Sequence, residues 1–220
     1  ETFKGLWTSE NGDGTYVTSV SNIPLDVLNP EQVLVQVFYS SLNYKDALSS
    51  SGHRGITRNF PHIPGIDAAG IVINDPSGKF KAGSQVIITG FDLGMNAHGG
   101  LCEFISVPSN WIIKLPSGLT LEKSMQIGTA GLTAGMAMLA LQQNGIKPSD
   151  GPIVVSGATG GLAMCTQGQR FIAFWLKLLD NFCPQYAASS EFGYFSEVIH
   201  SDGPKETKSG CKIVYGQTCS

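Results

Sequence analysis

Seven short runs within the first 120 residues read as strands, some of them alternating apolar and polar side chains, and turn-forming residues separate them. Glu31 to Tyr39 (EQVLVQVFY) is the clearest, with Val33, Val35 and Val37 on one face of a period-two pattern. Phe3 to Trp7 and Thr15 to Val20 flank Gly12-Asp13-Gly14, a hairpin-type turn. Ala68 to Ile73 ends at Asp75-Pro76-Ser77-Gly78, and Gln85 to Thr89 follows the tight turn Lys81-Ala82-Gly83. Gly99 to Val107 and Trp111 to Lys114 complete the set. Short strands at this spacing predict a partly open β-barrel.

The pattern changes after residue 120. Leu121 to Gln126 reads as a small helix ahead of Gly128-Thr129-Ala130-Gly131, and Thr133 to Gln143 as a longer one that Gly145 stops. Pro152 to Ser156 is an apolar strand running directly into Gly157-Ala158-Thr159-Gly160-Gly161. A glycine-rich turn after a buried strand lets the backbone approach a pyrophosphate, and the next helix offers unpaired N–H groups. Alone the motif is weak; its strand context strengthens it. A complete dinucleotide domain needs roughly 100 residues beyond that turn, since each βαβ unit takes about 30. About 56 residues follow Met164, with no regular strand–helix alternation and no second strand ending in a residue to read a ribose. The fold expected is therefore α+β: a partly open barrel followed by the opening of an incomplete Rossmann unit. Residues 1–125 form the barrel domain, and 126–164 the connecting helix and the start of the nucleotide-binding unit. Residues 165–220 form a tail, with an amphipathic helix near Phe174–Pro184 and a strand near Glu206–Tyr215.

Composition narrows the function. A hydrophobic share of 42% and a charged share of 14% suit a folded globule. A net charge of −3 gives no electrostatic case for nucleic acid or an anionic membrane. No segment reads as a membrane span or a signal peptide. The five cysteines, Cys102, Cys165, Cys183, Cys211 and Cys219, form no Cys-x-x-Cys pair, so free thiols in a reducing cytoplasm are expected. His53, His62 and His98 share no metal-like spacing and read as loop residues.

Five blocks carry a resemblance: SSLNYKDAL (Ser40–Leu48), RNFPHIPGIDAAG (Arg58–Gly70), GGLCEF (Gly99–Phe104), IGTAGLTA (Ile127–Ala134) and VVSGATGG (Val154–Gly161). In this order they resemble the zinc-independent medium-chain dehydrogenases/reductases, in the quinone oxidoreductase-like branch that includes acrylyl-CoA reductases. The barrel then resembles the GroES-like catalytic domain of that superfamily. Zinc-dependent relatives carry Cys-x-x-Asp at the first block and Gly-His-Glu at the second. Here Asn43 stands in the Cys place and Ile66 in the His place, and neither suits Zn²⁺ as those groups do. No metal is expected. The last segments of intact members return to the catalytic domain, so the tail is expected to do the same.

The resemblance implies NADPH as cofactor and hydride transfer to a quinone or an activated alkene, with the developing enolate stabilised electrostatically. A small-molecule substrate is implied as partner, and a homodimer only if the nucleotide domain supports one. Asn43, Tyr44, Asp46 and Asp67 are the implied catalytic positions. Asn43 and Thr129 lie beside the nicotinamide, Gly157 to Gly161 hold the phosphates, and Tyr44 and Arg58 face the substrate. Each has a plainer reading. Asn43 can satisfy its own loop, Tyr44 can pack as core, and Asp46 can cap a short helix starting near Ala47. Asp67 can hold a buried polar partner, Thr129 can cap a helix, and Arg58 can be a solvated charge. As a whole, the chain reads either as a zinc-free reductase or as a non-catalytic remnant serving at most as a binding or structural module.

Overall fold

The computed structural model describes residues 1–150, 153–155 and 212–214. The chain divides into two compact units, Glu1–Thr129 and Ala130–Ser220. In the first unit β1 (Thr2–Glu10) and β2 (Tyr16–Pro24) form an antiparallel hairpin, with Thr2 opposite Pro24 and Glu10 opposite Tyr16. A five-stranded antiparallel sheet follows, built from β3 (Val33–Tyr39), β4 (Asp67–Asn74), β5 (Gln85–Thr89), β6 (Phe104–Val107) and β7 (Ile112–Lys114). Its order is β6-β3-β4-β5-β7, and it does not close on itself. This is the partly open β architecture that the short, turn-separated strands predict.

Alternation places the core. Val33, Val35, Ala68, Val72, Val86, Ile88, Ile105, Val107 and Ile112 are buried together. β-Branched side chains suit a pleated face, and burying each one contributes roughly 2 kcal/mol. A second cluster, Phe3, Ile23 and Ile63, lies under the hairpin. Two bridges tie the hairpin to the rest: Gly5 opposite Cys102, and Thr8 opposite His62. Thr8 and His62 exchange two backbone bonds of 2.9 Å.

Cys102 packs against both clusters. Burial pushes its thiol up to about 12. Thiolate is the reactive species, so Cys102 is expected to resist alkylation in the folded protein by at least about a hundredfold relative to the unfolded chain. Peptide mapping after iodoacetamide, with and without urea, checks this. Equal labelling in both states would contradict the burial.

Several expectations change. The sixth strand begins at Phe104, not at Gly99, because the backbone ahead of it is used elsewhere. Gly99 N–H donates to Ile63 O at 2.7 Å, Gly100 N–H to Gly65 O at 2.8 Å and Leu101 N–H to Pro64 O at 3.1 Å. The helical segment Leu121–Gln143 contains a break at Gly128, with φ 52° and ψ −160°, as the two-helix reading expects. It is nevertheless long and apolar enough to cross a bilayer by length and composition, which the sequence reading did not anticipate. Of its most apolar stretch 56% is buried within the protein, as in a core helix.

His62 and His98 are more than loop residues. Their rings stack at 5.6 Å, and Trp7 lies 5.9 Å from His98. His62 is 2% exposed, its Nε2 has no hydrogen-bond partner, and burial lowers its pKa to about 4. Burial lowers His98 as well. Between the ordinary value of 6.5 and about 4 the unfolded chain binds a proton at His62 that the folded chain refuses. Stability therefore falls with pH across that window, by about 3 kcal/mol. Burial raises Asp46, which acts in the opposite sense at the acid end. The test is therefore a difference: His62→Phe is expected to flatten the slope of urea stability between pH 6.5 and pH 4. Parallel slopes for the two proteins would refute it.

In the second unit, Ile153–Val155 (β8) pairs in parallel with Lys212–Val214 (β9). The apolar strand at Pro152–Ser156 and the strand in Glu206–Tyr215 thus both have counterparts. The described pairing of β9 is with β8, whereas the tail was expected to return to the barrel. The expected helix near Phe174–Pro184 lies outside the described residues.

Candidate functional site

Asp67 is the centre of the site. It opens β4, directly opposite Thr89 at the end of β5. Residues opposite each other in an antiparallel pair share a face, so this register brings the Thr89 hydroxyl to the carboxylate. Thr89 Oγ1 donates to Asp67 Oδ1. Thr129 donates twice: Oγ1–H to Oδ1 at 2.7 Å and N–H to Oδ2 at 2.9 Å. The loop after β3 supplies the rest. Ser41 Oγ donates to Oδ2, and Asn43 Nδ2 reaches both Oδ2 and Ser41 Oγ at 3.0 Å. Ser40 Oγ also donates to the Asp67 backbone oxygen at 2.7 Å.

Five donors thus converge on one carboxylate with no exposed surface. Ionised carboxylates accept only, at about four lone-pair positions, so this donor set leaves little of Asp67 for a ligand. A group so enclosed acts through the residues that it holds.

Gly128 makes the approach of Thr129 possible. Its φ of 52° is open to glycine alone at low cost, and a Cβ there would lie 2.8 Å from Ser41 Oγ and 2.9 Å from Asp67 Oδ2.

Asn43 joins this centre to α1 (Tyr44–Ser50), of which it is the N-cap. Asp46, at the third position of the helix, closes a capping box: its Oδ2 accepts the Asn43 N–H at 2.7 Å. Its Oδ1 accepts the Ile66 N–H at 2.9 Å. Asp46 therefore does not cap a helix beginning near Ala47; it completes the cap of one beginning at Tyr44. It is 3% exposed. Burial raises its pKa, the Asn43 and Ile66 N–H groups oppose the rise, and the Asp67 charge adds to it.

The remaining residues sit further out. Tyr44 is 74% exposed, which rules out core packing, and Leu42 is 83% exposed on the other side of Asn43. Arg58 is exposed in the loop between α1 and β4. Its carbonyl oxygen accepts from Arg54, a residue the sequence reading passed over. Arg54 pairs with both Glu10 oxygens, at 2.7 and 2.6 Å, and lies over the Tyr16 and Phe60 rings. Gly157, Ala158, Thr159, Gly160 and Gly161 lie outside the described residues. Among the described residues no three His, Cys, Asp or Glu side chains converge as a metal set.

The structure therefore brings Asn43, Asp46, Asp67 and Thr129 together. Ser41 and Thr89 belong with them and were missed. The short apolar run after a tight turn that marks Gln85–Thr89 as a strand does not give its register against β4, and the register is what identifies Thr89.

Residues 29–117 match the alcohol dehydrogenase GroES-like domain. The chain is 46% identical over 153 residues to the probable acrylyl-CoA reductase AcuI of Escherichia coli K12, covering 70% of this chain and 47% of that protein. It is 42% identical over 160 residues to the putative quinone oxidoreductase YhfP of Bacillus subtilis, covering 73% and 48%. The crystal structure of Bacillus subtilis yhfP with NAD bound superposes with a TM-score of 0.72 at 40% identity, over 76% of this chain and 50% of that one. The Salmonella enterica yhdH oxidoreductase in complex with NADP gives 0.71 at 44% identity, over 74% and 50%. The chain spans about half the length of the curated relatives it matches. With its GroES-like domain, its open barrel and these relatives, the chain belongs to the medium-chain dehydrogenase/reductase family, alongside acrylyl-CoA reductase AcuI and quinone oxidoreductase YhfP.

Proposed function

We propose that this chain carries the catalytic domain of an NADPH-dependent reductase acting on quinones or activated alkenes such as acrylyl-CoA, without zinc. The observation that carries the reading is the Asp67 centre. It holds a carboxamide, Asn43, and a hydroxyl, Thr129, both only half-buried, on a floor that is itself closed to solvent. Such a pair suits the amide-bearing ring of a nicotinamide. Relatives at 40% and 44% identity that bind NAD or NADP support the assignment.

Bound NADPH supplies a hydride to an electron-poor carbon. The residues of the chain bind and orient. Asn43 and Thr129 offer polar contacts to the nicotinamide, and Asp67 fixes both. Asp46 ties Asn43 and Ile66 to the start of α1, so the wall behind the ring is rigid. Tyr44 presents an exposed hydroxyl, next to Asn43 in the chain, as donor for the substrate oxygen or carbon. Arg58 meets an anionic substrate tail. The phosphates belong to Gly157–Gly161. The zinc-free reading rests on Asn43 and Ile66, since the Asn43 carboxamide is engaged with Asp67 and Ser41 and Ile66 offers no donor atom.

The test is NADPH oxidation, followed by absorbance, with acrylyl-CoA and with a quinone. Turnover that persists in chelator and drops at least about tenfold in Thr129→Val is expected. Chelator-sensitive turnover would overturn the zinc-free reading, and absence of turnover with both substrates would favour the module reading.

A further inference from the structure

Ser41 and Thr89 have no part in the chemistry above, yet both hydroxyls end on Asp67. Each hydroxyl has one hydrogen, so donating to Asp67 commits it. The commitments fall on different oxygens. Oδ2 takes Ser41, with Asn43 Nδ2 and the Thr129 N–H; Oδ1 takes Thr89, with the Thr129 hydroxyl. Asn43 Nδ2 sits 3.0 Å from both Ser41 Oγ and Asp67 Oδ2, so one amide edge faces an acceptor pair that Ser41 completes. Thr129 Oγ1 spends its one hydrogen on Oδ1 at 2.7 Å, and Thr89, whose hydroxyl lies 3.0 Å from it and donates to the same oxygen, holds that acceptor in place.

We propose that Ser41 and Thr89 are positioning residues: through the two oxygens of Asp67 they fix the Asn43 carboxamide and the Thr129 hydroxyl in one arrangement. Ser41 sets the Asn43 side, and Thr89 sets the Thr129 side. The ligand consequence rests on the proposed NADPH reading, whereas the positioning itself does not.

The experiment uses the full chain and two readouts. The first is NMR: the Asn43 side-chain amide signal and the exchange rate of the Thr129 backbone amide, with the Val107 amide in β6 as control. Thr89→Val removes the hydroxyl at constant shape, Thr89→Ser restores it, and Ser41→Ala removes the other. Thr89→Val is expected to speed Thr129 exchange at least about tenfold, with Val107 and the Thr89→Ser protein unchanged. Ser41→Ala is expected to move the Asn43 signal. Should Thr89→Val fail to fold, Thr89→Ala carries the Thr129 side of the test, and Ser41→Ala, at a half-buried position, carries the Asn43 side. The second readout is NADPH titration, expected to weaken about tenfold in Thr89→Val and to recover in Thr89→Ser. An unmoved Asn43 signal with unmoved Thr129 exchange would overturn the positioning. A wild-type chain that ignores NADPH would overturn the cofactor reading instead, leaving the NMR result to decide this one.

Discussion

Replacing Asp67 with alanine is expected to cost about 5 kcal/mol of unfolding free energy, enough to unfold a domain of ordinary stability. Five donors lose their acceptor together: the hydroxyls of Ser41, Thr89 and Thr129, the Thr129 N–H and the Asn43 amide. A hydrogen bond to a charged group contributes roughly 1.5–3 kcal/mol, and each buried donor left unmet costs about 1–3 kcal/mol. Water entering the vacated volume recovers part, which keeps the total below the sum. Asp67→Asn keeps the shape but turns an amide N–H toward groups that are already donors, so it is expected to cost about half as much. Urea unfolding followed by circular dichroism measures both. A loss under about 1 kcal/mol for the alanine variant would mean that the carboxylate is not the centre described here.

Gly128→Ala is expected to cost about 4 kcal/mol. Two independent terms add. A side chain at φ 52° and ψ −160° is strained by about 1–3 kcal/mol. The new methyl also overlaps Ser41 Oγ at 2.8 Å and Asp67 Oδ2 at 2.9 Å, and overpacking costs typically 1–3 kcal/mol. The second term makes the effect local to the site: relief requires Ser41 or Asp67 to shift, and either shift moves Asn43. Gly145→Ala is the comparison. Its φ is also positive, at 79°, but a Cβ there meets nothing within 4 Å, so only the strain remains. Equal losses for the two variants in urea unfolding would show that the crowding at Gly128 contributes nothing.

Much of this arrangement is legible in the sequence because strands have a period. Glu31–Tyr39, Ala68–Ile73 and Gln85–Thr89 lie within two residues of β3, β4 and β5: the first alternates, and the other two are short apolar runs that turn residues bound. Gly128-Thr129 marks the helix break because only glycine takes that backbone conformation cheaply. What pattern does not carry is register. Asp67 and Thr89 are 22 residues apart, and nothing local says that they face each other. The same holds for His62 and His98, whose stacking depends on the 98–101 segment lying along 63–65. Arg58 attracted the substrate role because it stands beside a motif. The nearby Arg54 makes the paired contacts, with a glutamate on β1 far away in the chain. Asp46 shows the converse. Its type suggested a cap, and it serves one, but at the third helical position with Asn43 in the capping place.

The central claim is that Asp67 holds Asn43 and Thr129 as the wall of a nicotinamide site. Titrating the purified chain with NADPH by calorimetry, beside its Thr129→Val variant, tests it most directly. Saturable binding in the micromolar range that weakens in the variant is the expected result. No heat of binding up to millimolar NADPH would contradict the claim and leave Asp67 as the structural anchor of a barrel that binds no cofactor.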